Sequence, residues 1–201
     1  MTMATFIKAG LAAGAMLIAM IGSGQATPLN TTVLGNASPP IGAYQFCKEM
    51  PADCTNPAGD EGELVLTEER WKTILKINYQ VNSTITPMTD KEIYGVEERW
   101  AYPRTVGDCE DYALLKRKML IDAGFSPSDL LMTVVLQPNG EGHAVLTVRT
   151  DRGDFVLDNM RNKVMLWADT EYTFLKRQSS ADPTRWVKLQ DGRAVAVGSV
   201  K

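Results

Sequence analysis

Gly107-Asp108-Cys109-Glu110-Asp111-Tyr112-Ala113 sets one cysteine among three acids at the expected start of a helix. From Glu110 the apolar residues Ala113, Leu114, Leu120 and Ile121 recur at helical spacing, and the run stops at Gly124, which suits a left-handed C-terminal cap. Cys109 then falls in the first turn, where unpaired backbone N–H groups and the positive end of the helix dipole favour an anion. The expectation is a thiolate that forms more readily than on a free cysteine. The neighbouring acids oppose it unless they point elsewhere or are neutralised. On a wheel of roughly 100° per residue, Glu110 and Asp111 point away from Cys109, with Asp108 beside Asp111. Two readings of the three stay open: they gather around a hard cation such as calcium, which takes about 6–8 oxygen ligands, or they complement the dipole.

Upstream, Thr67 is placed to cap a helix with Glu68 and Glu69 in its first turn and Trp71, Ile74, Leu75, Val81 and Ile85 on its buried side. Thr89-Asp90-Lys91-Glu92 has capping-box spacing for a shorter helix ending near Gly95. The segment Trp100 to Thr105 reaches the cysteine as a loop, since Pro103 removes a donor and restricts Tyr102. Trp100 and Pro103 are candidates for a substrate groove, and for Trp100 the alternative is a cover over the core. After Gly124 the pattern turns to short β-type runs at Leu131–Leu136, His143–Arg149 and Phe155–Asp158, with candidates near Tyr172–Leu175, Arg185–Leu189 and Ala194–Val197. Helices first and an antiparallel sheet second is an α+β order.

The hairpin supplies a second chemical clue. A two-residue turn at Thr150 and Asp151 would set His143 opposite Asp158. A loop from Thr150 to Gly153 would set Asp158 opposite Val145, diagonal to His143. Both registers put imidazole and carboxylate on one face, with Cβ atoms about 4.5–5.5 Å apart or about 7–8 Å apart. A carboxylate on one imidazole nitrogen fixes the tautomer and leaves the other to exchange a proton with a thiol. Cys109, His143 and Asp158 are thus candidate nucleophile, base and orienter.

The 201 residues suit a single domain, and a 44% hydrophobic content is ordinary for a globular core. Lys8, the apolar run Ala9 to Ile21 and the small residues Gly24-Gln25-Ala26 read as a cleavable export signal over 1–26, and the run is short of the roughly 20 apolar residues of a permanent span. An irregular arm rich in Thr, Asn and Pro is expected over 27–43 and the catalytic domain over 44–201, in the periplasm. In an oxidising compartment Cys47 and Cys54 are natural disulfide partners, leaving Cys109 as the odd thiol. A zinc site from the three cysteines and His143 lacks paired ligand spacing. A net charge of -3, or -4 once Lys8 is removed, gives no sign of nucleic-acid binding, and no glycine loop points to an organic cofactor.

Together Trp100-x-x-Pro103, Gly107 to Ala113, His143-Ala144-Val145-Leu146 and Leu157-Asp158-Asn159 resemble the bacterial transglutaminase-like cysteine proteinases, a family that includes LapG-like periplasmic proteases. The resemblance implies a papain-like, transglutaminase-like fold and a Cys-His-Asp triad on Cys109, His143 and Asp158. For the LapG branch it implies calcium held by Asp108, Glu110 and Asp111. It further implies a biofilm role through cleavage of a surface adhesin, under an inner-membrane cyclic di-GMP receptor. The first functional reading is a periplasmic cysteine endopeptidase working through a thioester. The alternatives are a transglutaminase or cell-wall amidase with the same triad, and a non-catalytic binding module.

Overall fold

The computed structural model describes Met1 and residues 28–190. The expected export signal at 1–26 and the candidate strand at 194–197 lie outside the described residues. In chain order the elements are β1 (Thr32–Ala37), α1 (Ile41–Glu49), α2 (Glu68–Thr84), β2 (Thr86–Pro87), α3 (Asp90–Tyr94), β3 (Val106–Gly107) and α4 (Cys109–Asp122). They continue with β4 (Leu130–Leu136), β5 (Gly142–Thr150), β6 (Gly153–Leu157), β7 (Met165–Leu166), β8 (Thr173–Gln178) and β9 (Trp186–Gln190). Seven strands form one antiparallel sheet in the order β1-β9-β8-β4-β5-β6-β7, while β2 and β3 make a short parallel pair. The chain has the expected α+β order.

The helices begin and end where their termini can be satisfied. The Thr67 hydroxyl accepts the Arg70 N–H at 3.2 Å, and α3 opens on the capping box of Thr89 and Glu92. Gly95 and Gly124 take φ of +75° and +89°, the left-handed geometry that ends α3 and follows α4. On α2 the buried stripe is Ile74, Ile77, Asn78 and Val81. Leu75, expected on that side, is exposed, because steps of three and four from Ile74 never return to it.

The N-terminal arm departs from expectation. Thr32–Ala37 is not irregular: it forms the edge strand β1, antiparallel to β9 with Thr32 facing Gln190, and α1 begins at Ile41. Its hydrogen-bond partner lies at the far end of the chain, so local composition gave no sign of it.

Two apolar clusters flank the sheet. The larger, under the helices, includes Ile74, Leu120, Leu130, Met132, Leu146 and Leu157; the smaller, on the other face, centres on Val135, Val145, Trp167, Tyr172 and Phe174. Each fully buried aliphatic side chain contributes about 1.5–3 kcal/mol, and truncating Leu120 or Leu146 to Ala would cost about 2–5 kcal/mol. Thr150 pairs with Gly153 and Leu146 with Leu157, so Asp151 and Arg152 form the turn and the diagonal register holds.

Candidate active site

Gly107 determines how closely α4 can start beside the loop before it. A Cβ there would stand 2.8 Å from both Cβ and Oδ2 of Asp111 and 3.0 Å from Cβ of Pro103. The absent side chain lets the loop press on the first turn of α4, where the Ala101 N–H donates to Asp111 Oδ1 at 2.8 Å. Pro103 is consequently buried against the glycine and does not line the groove, which corrects its expected place. Trp100 stands between the cavity and the core. It lines the cavity over Cys109, and its ring lies edge-on to Trp186 at 6.2 Å in the core. Its Nε1–H donates to Glu98 Oε1 at 3.0 Å.

That cavity, of about 280 Å³, is lined by Cys109 and Glu110 from α4 and by Gly142, His143 and Ala144 from the start of β5. Trp100, Glu98, Pro40, Val134 and Lys176 complete its walls. The Ala144 N–H donates toward the Cys109 sulfur, bringing the helix tip against β5. His143 Nε2 lies 2.9 Å from Asp158 Oδ1, which leaves Nδ1 as the other exchanging nitrogen. Both side chains are buried, at 4% and 1% exposure, so little water screens the pair. Asp158 Oδ1 also accepts the Met160 N–H at 3.0 Å, and Oδ2 accepts from Tyr172 Oη at 2.6 Å and Arg161 Nε at 3.1 Å. Burial pushes this carboxyl upward, but the hydrogen bonds from His143, Tyr172 and Met160 outweigh it and hold the pKa at about 2.

The thiol does not behave as its helix position alone suggests. Burial raises the Cys109 pKa well above its ordinary value, and the Glu110 carboxylate adds to the rise. The thiol donates to Glu110 Oε2 at 3.0 Å. Desolvation and an adjacent acid therefore outweigh the dipole, and this arrangement holds a thiol, where a thiolate was expected.

Carboxylate oxygens of Asp90, Asp108 and Glu110 lie within 4.8 Å of one another. Burial is the main cause of raised pKa values at all three, with Glu110 reaching about 8 and Asp108 repelling it. Asp90 Oδ1 and Asp108 Oδ1 are buried with no hydrogen-bond partner. Oxygen donors, mutual repulsion and orphaned lone pairs fit a hard divalent cation. Asp111, grouped with Asp108 and Glu110 by sequence, is not in this set. Its Oδ1 accepts from Ala101 while its Oδ2, like the Asp90 and Asp108 Oδ1 atoms, is buried without a partner, and burial raises its pKa to about 7.

The profile of the bacterial transglutaminase-like cysteine proteinases (BTLCP) matches residues 33–194. The chain belongs to this family of cysteine peptidases. Calcium-bound LapG of Legionella pneumophila superposes on the proteinase with a TM-score of 0.51 at 21% identity, covering 65% of this chain and 74% of that one. For EGTA-treated LapG the values are 0.47 and 21%, with 55% of this chain and 64% of that one covered. At such identity the likeness concerns the fold. No curated protein matches the chain by sequence.

Several residues around the proteinase's site are not marked by local sequence. Asp90 stood in view only as part of a capping box. Tyr172 stood only at the start of a candidate strand, and Arg161, which donates to Asp158 Oδ2, carried no signal in the sequence. Among the described residues no helix is long and apolar enough to cross a membrane. Cys47 and Cys54 are joined by a disulfide with Cα atoms 5.5 Å apart.

Proposed function

We propose that the protein is an exported cysteine endopeptidase in which Cys109 is the nucleophile, His143 the acid–base group and Asp158 its orienter. The observation that carries this reading is the sharing of one cavity by Cys109 and a buried His143 hydrogen-bonded to Asp158. His143 takes the Cys109 thiol proton and becomes imidazolium, the sulfur attacks a peptide carbonyl carbon to form a C–S bond, and the C–N bond breaks as the imidazolium gives that proton to the leaving amine. Water then attacks the thioester, losing a proton to His143, and the C–S bond breaks as His143 returns that proton to the departing sulfur. The Cys109 N–H, in the first turn of α4, is a candidate donor to the oxyanion.

Asp90, Asp108 and Glu110 would hold calcium, which supplies positive charge that offsets the carboxylates beside the thiol. The paired unsatisfied oxygens support that assignment, and the likeness to a protein solved calcium-bound agrees with it. The LapG resemblance extends the proposal to a periplasmic location, a surface adhesin as substrate and an inner-membrane cyclic di-GMP receptor as regulator.

Comparative N-terminal proteomics of envelope and released proteins, from cells carrying wild type or Cys109→Ser, tests the reading. New N-termini that require Cys109 are expected. Amine incorporation without new N-termini would assign the site to a transglutaminase instead.

A further inference from the structure

Besides Glu110 beside the sulfur, the cavity over Cys109 is lined by two charged side chains, Glu98 and Lys176. Lys176 is the one lysine or arginine in that lining, and it comes from β8. Neither charge meets an opposite one among the described residues. Glu98 accepts from the Trp100 indole at 3.0 Å, and Lys176 donates to the Ser38 carbonyl at 2.9 Å with its ammonium 5.9 Å from the Trp186 ring centroid. Each is held in place by a neutral group and keeps its charge for whatever enters the cavity.

Strand pairing sets Lys176 in line with the nucleophile. Ala144 on β5, whose N–H donates toward the Cys109 sulfur, pairs with Val134 on β4; Val134 pairs with Lys176 on β8, and Lys176 with Lys188 on β9. Directly paired residues share a face of the sheet, and here it is the face that carries the cavity. With strands about 4.8 Å apart, the Lys176 backbone stands roughly 10 Å from that of Ala144, the reach of about three residues of extended peptide. Like charges directly opposite each other destabilise a strand pair, and Lys188 has no acidic partner among the described residues to relieve the repulsion. A carboxylate laid along this row would offset it. We propose that Lys176, backed by Lys188, is a specificity-determining pair that selects substrates with an Asp or Glu about two to four residues from the scissile bond. This selectivity presupposes the peptidase reading above. Glu98, from the loop ahead of α4, repels an acid placed on its own side, which confines the preference to the side of the sheet.

A proteome-derived peptide library, digested in the presence of calcium by wild type and by Cys109→Ser, gives the residues that flank Cys109-dependent cuts. In wild type, Asp and Glu should be enriched at one position within four residues of the cut. The enrichment should persist in Lys176→Arg, disappear in Lys176→Met and turn to Lys and Arg in Lys176→Glu, with a partial loss in Lys188→Met. For a selected peptide and its twin with Asn in place of the Asp, wild-type kcat/KM should differ by about three- to tenfold, less at high salt, and Lys176→Met should remove the difference. A wild-type profile without acids, or an acidic preference unchanged in Lys176→Met and Lys176→Glu, would overturn the proposal. The peptidase reading fails by a different result, the absence of any cut that Cys109→Ser lacks, and the selectivity falls with it.

Discussion

Asp158 is the most heavily bonded residue of the site. Its carboxyl meets an imidazole, a phenol, a guanidinium and a backbone N–H, and its backbone oxygen accepts Asn82 Nδ2 from α2 at 2.9 Å. Replacing the acid with Asn puts a donor where only acceptors serve, and His143 loses the partner that fixes its tautomer. Asp158→Asn should therefore lower peptide cleavage by roughly 10²–10⁴-fold, read as kcat/KM once a cleaved peptide is in hand. The same residue has a linkage signature. Its folded pKa of about 2 lies below the model-compound value of 3.8, so its stabilisation is present above that value and is lost as pH falls through about 2. Acid unfolding of wild type should steepen across that window relative to Asp158→Asn. Tyr172→Phe removes one donor and leaves the others; a loss of about 1–3 kcal/mol in urea unfolding is expected.

At the scale of elements, what matters is where α4 begins. Gly107→Ala would force Asp111 or Pro103 to move, since neither gap admits a methyl group, and the first turn carrying Cys109 would shift with them. The expected result is a folded protein whose Cys109 reacts more slowly with iodoacetamide; wild-type labelling kinetics would show that the close approach at Gly107 does not position the thiol. The 47–54 loop holds the same region from behind, because Asp53 accepts from Tyr102 Oη at 3.0 Å through its side chain and from Arg117 through its carbonyl. A short disulfide loop contributes about 2–3 kcal/mol, so Cys47→Ala with Cys54→Ala should lower the urea midpoint accordingly. These anchors mark what was legible in the sequence. Caps at Thr67, Thr89 and Gly124 are local chemistry and could be read, as could the β5–β6 register within two choices. β1 and the place of Asp90 depend on partners far along the chain, and the burial that raises the Cys109 pKa is not written in its neighbours. The helix dipole favours the thiolate as its position suggests, but the burial that opposes it is larger.

Over the whole molecule, buried acids set how stability varies with pH. Burial lifts Glu110 to about 8, Asp111 to about 7 and Asp129 to about 6, each above its unfolded value. A carboxyl raised in this way favours folding while protonated, and that advantage is lost as pH rises through its folded pKa. Lys116 runs the other way: its folded pKa of about 7 lies below the unfolded 10.5, so stability is regained as pH climbs between them. Asp129 is tied to Arg149 at 3.4 Å and is not a member of the Asp90, Asp108 and Glu110 group. Calcium and protons compete for the same oxygens at Asp90, Asp108 and Glu110. Thermal unfolding should therefore show a rise in Tm on adding calcium to chelator-treated protein that is larger at pH 8 than at pH 5.5. At a hundredfold excess over the dissociation constant the rise at pH 8 should be roughly 5–10 °C. Asp90→Asn should reduce it, because Asp90 from α3 is a member of the group, whereas Asp111→Asn should alter the baseline stability and leave the calcium response in place. An equal response at both pH values, or one that depends on Asp111 and not on Asp90, would remove the cation from these three residues and return them to the role of acids complementing a helix end.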